Sequence, residues 1–194
     1  MERLARADLM SLEEYSHFRE RFRREVMAHK DDRRLHLGPN LTLYFEDRLT
    51  IQYQVQEMLR IERIFEAAGI QDELDTYNPL IPDGANLKAT MMIEFDDEAV
   101  RRAALAKFGR IEDRVWIKTG QSERSFATPD EDLERRDPNR TAAVHFLRFD
   151  LDNALCSAFK SAAKIAMGVD HERYQYSVEE LPAALAGSLV QDLD

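Results

Sequence analysis

The chain has 194 residues, a single cysteine and a formal net charge of −10, with a sequence pI near 5.1. The negative charge argues against nucleic acid and anionic membranes as partners, because both attract proteins with net positive charge. One cysteine excludes an internal disulfide and an iron–sulfur cluster held by four thiolates of this chain. With 44% apolar and 33% charged residues, the composition is typical of a folded globular protein.

The amino terminus lacks the apolar core of a secretory signal, and no segment approaches the ~20 apolar residues of a membrane span. We therefore expect a cytoplasmic protein with no membrane contact.

The amino-terminal part predicts a helix over 8–31, started by Asp8 or Ser11. Its mixed charges over 19–34 predict a solvated helix face. The short alternating runs 35–37 and 41–45 predict a hairpin around Gly38-Pro39-Asn40. A second helix follows over 49–65, with Asp47 as its cap and Gly69 at its end.

The pattern of the remaining residues predicts a sheet, with helices between and after its strands. Thr141 to Asp150 is apolar on alternate positions of both faces, which predicts a central strand covered on both sides. Residues 119–140 are predicted to be mostly exposed, with a short helix starting at Thr128-Pro129. The predicted strands are 88–95, 114–119, 123–128 and 141–150, and the predicted helices are 97–108, 152–167 (closed by Gly168 to His171) and one beginning at the capping box Ser177 to Glu180.

These elements predict an α+β fold: a mostly antiparallel sheet of about four strands packed with helices, with helical segments at both ends. We expect one domain over 1–194. It comprises a helical part with a short hairpin (1–68), a sheet-containing part (87–168) and a carboxyl-terminal helix (177–191).

No motif fixes a reaction. The seven glycines never cluster, so there is no nucleotide-binding loop, and neither a serine nucleophile elbow nor paired zinc-binding cysteines occur.

The most informative residue is Glu57, which falls on the apolar face of the predicted helix 49–65, as Gln54 does. An ionised carboxylate there requires a partner, and Arg60 lies three residues further on, within reach along the helix. One interpretation is therefore a buried ion pair that fixes packing.

The other interpretation is a functional pocket formed by Glu57 and Arg60 with His145 and His171. Imidazole and carboxylate ligands suit Fe, Mn or Zn, so Glu57, His145 and His171 are candidate metal ligands. Arg60 could bind an anionic substrate. A lone histidine on an apolar strand is more often a hydrogen-bonded core residue than a ligand.

Five stretches resemble the bacterial domain-of-unknown-function family 3501: 41–48, 53–65, 77–84, 145–149 and 168–171. The resemblance spans nearly the whole chain and implies a bacterial protein with no assigned activity and no catalytic residues to carry over. Genes of the family often lie beside rubrerythrin-like di-iron proteins and iron–sulfur oxidoreductases, so the resemblance implies an oxidative-stress or electron-transfer context.

Two functions remain open. The first is a binding or accessory protein that works with a rubrerythrin-like or iron–sulfur partner. The second is a small metal-binding protein or enzyme that uses the Glu57, Arg60, His145 and His171 pocket. A homodimer through the first or last helix is also expected, because each presents an apolar stripe.

Overall fold

The structure, a computed structural model, describes residues 2–120, 122–129, 141–161 and 163–193. No helix within these ranges is both long and apolar enough to cross a lipid bilayer. The helices are α1 (Leu12–Asp31), α2 (Arg48–Glu62), α3 (Ala67–Tyr77), α4 (Glu98–Leu105), α5 (Asn153–Lys160) and α6 (Ala183–Val190). The strands are β1 (Arg34–His36), β2 (Leu41–Glu46), β3 (Asn86–Ile93), β4 (Val115–Thr119), β5 (Ser125–Phe126), β6 (Thr128–Pro129), β7 (Val144–Asp150), β8 (Ile165–His171) and β9 (Tyr174–Val178).

The strands form two antiparallel sheets, with orders β1-β2-β3-β7-β6 and β5-β4-β8-β9. The α+β class, with helices at both ends of the chain, is confirmed. The chain crosses between the sheets at Ala127, whose N–H donates to the Val115 carbonyl oxygen at 2.8 Å. Inward-facing side chains of both sheets, such as Leu43 and Met167, belong to one apolar core.

The two amino-terminal helices begin at the capping residues that the sequence predicts. The Ser11 hydroxyl accepts from the Glu14 N–H, and the Glu14 carboxylate accepts from the Ser11 N–H. Asp47 caps α2 in the same way by accepting from the Thr50 N–H at 2.9 Å. Each cap satisfies amide groups that a helix start leaves without an internal partner.

The prediction that Gly69 ends the second helix is wrong. Arg63 ends α2 in the left-handed conformation, with φ of 58°, and Gly69 lies inside α3. The absence of a side chain at Gly69 lets the connection between α2 and α3 pack against α3, because a Cβ there would lie 2.7 Å from Ile64 Cγ2. The glycine therefore serves packing rather than termination.

The predicted helix over 152–167 is also wrong in its second half. Helix α5 ends at Lys160, and Ile165–His171 is instead strand β8, which pairs with β4 and β9. Almost every β8 residue is buried, as expected for a central strand covered on both faces. Such a continuous apolar run does not distinguish a strand from a buried helix in sequence.

The carboxyl-terminal helix begins later than predicted, because Ser177 belongs to β9 and the helix starts only after Pro182. The Ser177 hydroxyl bonds to the Glu179 side chain instead of capping a helix. Pro182 has no N–H to donate, and the position before a helix requires none.

Strand β7 lies between β3 and β6, so its central position is confirmed. Its predicted coverage on both faces is wrong, because Val144 and Arg148 are exposed while Leu147 and Phe149 are buried.

Thr128–Pro129 forms strand β6 rather than a helix start, and the remainder of that predicted helix lies outside the described residues.

Gly168 permits a close contact between β8 and the Trp116 ring. A Cβ at Gly168 would lie 2.5 Å from Trp116 Cζ2 and 2.7 Å from the Tyr176 carbonyl oxygen. We expect Gly168→Ala to lower the free energy of unfolding by about 1–3 kcal/mol, since the ring and backbone must shift. Urea unfolding followed by far-UV circular dichroism measures this change.

Gly187→Ala is the matched control, because a Cβ on this glycine of helix α6 meets nothing within 4 Å. We expect this variant to be more stable by about 0.5–1 kcal/mol, since alanine loses less backbone entropy than glycine in a helix. A Gly168→Ala protein as stable as the wild type would contradict the packing argument.

Candidate functional site

The Glu57 carboxylate lies between α1 and α2 and is only 12% exposed. The Tyr15 hydroxyl donates to Glu57 Oε1 at 2.7 Å. Arg19 binds both carboxylate oxygens, with Nε at 2.7 Å from Oε1 and Nη2 at 2.9 Å from Oε2. Arg60 adds a longer contact from its Nη2 to Oε2 at 3.2 Å. The ion pair that the sequence predicts along one helix is thus mainly a pair between two helices.

These donors keep Glu57 ionised. Hydrogen bonds from the Arg19 guanidinium, opposed by burial and aided by Tyr15 and Arg60, lower the pKa of Glu57 to about 2. Burial and the bond to Glu57 in turn raise the pKa of Tyr15 well above its usual value. A carboxylate with so low a pKa is a weak proton acceptor at neutral pH, so this arrangement favours a structural or electrostatic role.

Three large apolar side chains that lie close in sequence to the arginines of this ion cluster are exposed. Phe18 precedes Arg19, Ile61 follows Arg60, and Phe65 lies one helical turn further along the chain. They are 53%, 56% and 71% exposed, respectively. The apolar face of the predicted helix 49–65 includes Ile61 and Phe65, but both are exposed, because α2 ends at Glu62 and only its earlier turns pack on Leu4, Leu74 and Ile81. We call Phe18, Ile61 and Phe65 with Arg19 and Arg60 the α1–α2 patch.

His145 lies on β7, on the same strand face as Leu147 and Phe149. Its Nε2 is 2.6 Å from Thr141 Oγ1 and 3.0 Å from the Ala142 carbonyl oxygen. The Thr141 hydroxyl also donates to the buried carboxylate of Glu112 at 3.0 Å. The imidazole thus belongs to a local hydrogen-bonded group at the start of β7.

His171 is the last residue of β8 rather than part of a loop. Its Nε2 lies 3.2 Å from the Gly109 carbonyl oxygen, and its Nδ1 accepts from the Arg173 N–H at 3.2 Å. An imidazole that donates at one nitrogen and accepts at the other is neutral. The Phe108 ring contacts it edge-on at a centroid distance of 6.0 Å.

Of the four predicted site residues, the structure places Glu57 and Arg60 in contact. His145 and His171, which lie on strands β7 and β8, each have their own hydrogen-bond partners. Throughout the described ranges, no group of three or more His, Cys, Asp and Glu side chains has the arrangement of a metal site. The metal and catalytic roles of Glu57, His145 and His171 stay predictions.

A second ion cluster, centred on Arg33, is not predicted by the sequence. Arg33 lies in the charge run expected to be solvated, yet it is 1% exposed. Its Nε donates to the Phe45 carbonyl oxygen at 3.0 Å, and its Nη2 donates to the carboxylate of Asp192. No local signal distinguishes Arg33 from its neighbour Arg34, because its partner is 159 residues away along the chain.

Two carboxylates, those of Asp47 and Asp192, contact the Arg33 guanidinium. Asp47 Oδ2 is 3.5 Å from Arg33 Nη1 and also contacts His29 Nε2. Burial raises the pKa of Asp192 to about 6, although the bond from Arg33 opposes the shift. Asp192 Oδ1 has no hydrogen-bond partner among the residues that the structure describes. The cluster is buried and connects the end of α1 to the carboxyl terminus, so it holds these two parts of the chain together.

Glu57→Gln tests the charge between the helices. We expect a free energy of unfolding lower by about 1–2 kcal/mol at pH 7, a modest value because the carboxylate keeps some contact with water. With a native pKa of about 2 against an ordinary 4.5, the ionic contribution is complete above about pH 4.5 and is lost as pH falls towards 2. The difference between variant and wild type should therefore shrink over that range in chemical denaturation.

Glu20→Gln serves as the control, since Glu20 also faces an arginine on α1 but is 89% exposed. We expect its stability to match the wild type throughout the pH range. A Glu57→Gln difference that is constant between pH 7 and pH 3 would contradict the proposed ionic contact.

A family model and a solved structure both match essentially the whole chain. The family model described as "Protein of unknown function (DUF3501)" matches residues 3–193. A crystal structure of a novel protein of unknown function from Burkholderia pseudomallei K96243 is 46% identical, with a TM-score of 0.94 and complete coverage of both chains. No curated protein sequence matches the chain. The chain therefore belongs to the DUF3501 family, over essentially its whole described length.

Proposed function

We propose that this protein is a binding or accessory protein that docks a partner protein through the α1–α2 patch. The observation that carries the proposal is the exposure of Phe18, Ile61 and Phe65 beside the arginines that bind Glu57. Single exposed apolar residues are ordinary, but large ones grouped beside charged groups are typical of interaction sites.

The composition of the patch supports this role. Phenylalanine and arginine are enriched at protein interfaces, where a few anchors supply most of the binding energy. The bonds from Arg19 and Arg60 to Glu57 hold both guanidinium groups in place before a partner arrives. Prior ordering of long side chains lowers the entropy cost of association.

The charges favour a partner with carboxylates around an apolar centre. The whole chain carries a net charge of −10, so an acidic partner is attracted only where cations are concentrated. At the patch, the two positive charges of Arg19 and Arg60 exceed the one negative charge of Glu57, with which both are paired. The partner classes implied by the family resemblance are rubrerythrin-like di-iron proteins and iron–sulfur proteins, and we propose one of these as the occupant.

The test is binding between the purified protein and each partner class, encoded beside it and produced with its metal. Sedimentation and calorimetry should detect a complex. The triple variant Phe18→Ser, Ile61→Ser, Phe65→Ser should bind at least tenfold more weakly, because it removes the apolar anchors. Its thermal unfolding should remain close to that of the wild type, since these side chains are largely in water.

The control variant is Val100→Ser with Val144→Ser. These valines are 53% and 45% exposed but lie on α4 and β7, away from the α1–α2 patch. Equal weakening by the control would contradict the location of the site. Absence of a complex with both partner classes would contradict the proposed function. A homodimer that the triple variant dissociates would assign the patch to self-association instead.

The metal-binding alternative has its own test. Protein purified without oxygen should be analysed for iron, manganese and zinc, with Glu57→Gln and His145→Ala variants in parallel. We expect no stoichiometric metal that depends on both residues, because Glu57 and His145 each have protein partners. A near-stoichiometric metal lost in both variants would contradict this expectation and favour the metal site.

A further inference from the structure

The outer face of the second sheet carries an aromatic and cationic surface distinct from the α1–α2 patch. Along β4, Val115 and Ile117 enter the core, so Trp116 faces the other side. Phe126 of β5 and Gly168 of β8 stand opposite Trp116 in the register and therefore share its face. Lys118, two residues beyond Trp116, lies on the same face.

Cations cover both rings. The Arg124 guanidinium lies 4.5 Å from the centre of the Trp116 ring, and the Lys118 ammonium lies 5.9 Å from it. The Arg114 guanidinium lies 5.4 Å from the centre of the Phe126 ring. Arg124 and Arg114 both face Asp170, at 2.7 Å and 3.8 Å. Among the described residues, Lys118 has no carboxylate partner, which leaves positive charge at this face of an acidic protein.

The Trp116 indole is an unsatisfied donor. The side chain is 2% exposed, and within the described part of the chain its Nε1 has no hydrogen-bond partner. A buried N–H without an acceptor costs on the order of 1–3 kcal/mol, so an acceptor supplied by a ligand is favourable there. The Arg124 side chain lies over the ring, and among the described residues it is paired with Asp170, which is itself one-third exposed. Such a pair is weak in water and can open at little cost.

We propose that this face binds an oxyanion group of a small-molecule ligand, a phosphate or a carboxylate. Lys118 and Arg124 neutralise its charge, and the Trp116 indole N–H donates to one of its oxygens. Gly168 contributes by leaving room for the indole to lie against β8. Arg124 moves from over the ring towards the anion when the ligand enters.

The single tryptophan of the chain gives a direct test. A nitrogen–proton correlation spectrum contains one indole signal, which reports on the Trp116 N–H alone. Sodium pyrophosphate and sodium citrate are the two probes, and they separate phosphate from carboxylate recognition. Sodium chloride at equal ionic strength is the reference. We expect a saturable downfield shift of the indole proton with at least one probe, and no saturable shift with chloride.

The variants separate a site from general attraction. Lys118→Gln and Arg124→Gln should each weaken probe binding at least tenfold in calorimetry. Trp116→Phe keeps the ring, removes the N–H and should weaken binding by a smaller factor. Arg148→Gln is the matched control, because Arg148 is 44% exposed and paired with one carboxylate, as Arg124 is at 43%. We expect it to bind like the wild type.

No saturable indole shift with either probe would overturn the proposal. Equal weakening by Arg148→Gln and Arg124→Gln would also overturn it, since the anion would then respond only to net charge. Thermal unfolding of each variant in the absence of probe identifies any loss of fold. The conservative Arg124→Lys variant keeps the charge and should retain most of the affinity of the wild type.

Discussion

The buried guanidinium of Arg33 connects the parts of the molecule that lie furthest apart in sequence. It follows α1 directly, donates to carbonyl oxygens of Phe45 and Glu46 at the end of β2, and reaches Asp192 at the carboxyl terminus. The neighbouring Asp47 caps α2 and also contacts His29. A charge buried at this depth is costly unless each of its donors is used, so these elements must assemble together. These contacts of Arg33 fix the position of α1 on the molecule.

The Glu57 cluster differs from the Arg33 cluster in its exposure to solvent. It joins α1 to α2 at a partly exposed position, with Tyr15 and two arginines around one carboxylate. Aromatic contacts between Phe22 and both Tyr15 and Tyr53 continue the interface along the two helices. One end of this helix pair is fixed by the buried ions at Arg33 and Asp47. The other end presents apolar side chains and arginines to solvent, which is the arrangement expected of a docking surface on a rigid support.

The second sheet carries functional groups on its outer face that differ from those of the α1–α2 patch. Its inner face is core, while its outer face combines Trp116 and Phe126 with three cations and the carboxylate of Asp170. These residues lie on β4, β5 and β8 or directly precede β4 and β5, and the sheet brings these strands side by side. A chain with a net charge of −10 can therefore still present a local anion site. Total charge describes long-range attraction, whereas specific binding depends on which groups share a face.

The sequence predicted the elements whose signals are local. The caps Ser11 and Asp47 were identifiable because a helix start needs a side-chain acceptor next to its first apolar residues. The hairpin of β1 and β2 and the position of β7 between other strands were equally clear. The helix over 152–167 failed because a buried apolar run of about seven residues fits a central strand as well as a helix, and only pairing with β4 and β9 decides between them.

The candidate site also combines features that the sequence predicts with features that only the tertiary structure decides. The sequence by itself determined that Glu57 requires a cationic partner, because a carboxylate on an apolar helix face cannot stay ionised alone. Only the tertiary structure decided that the main partner is Arg19, that Arg33 is buried against Asp192, and that Trp116 lies beneath Arg124. The physical reason is that helix and strand periodicity arises within a few residues, whereas ion pairs and stacked rings depend on the packing of elements that are distant along the chain.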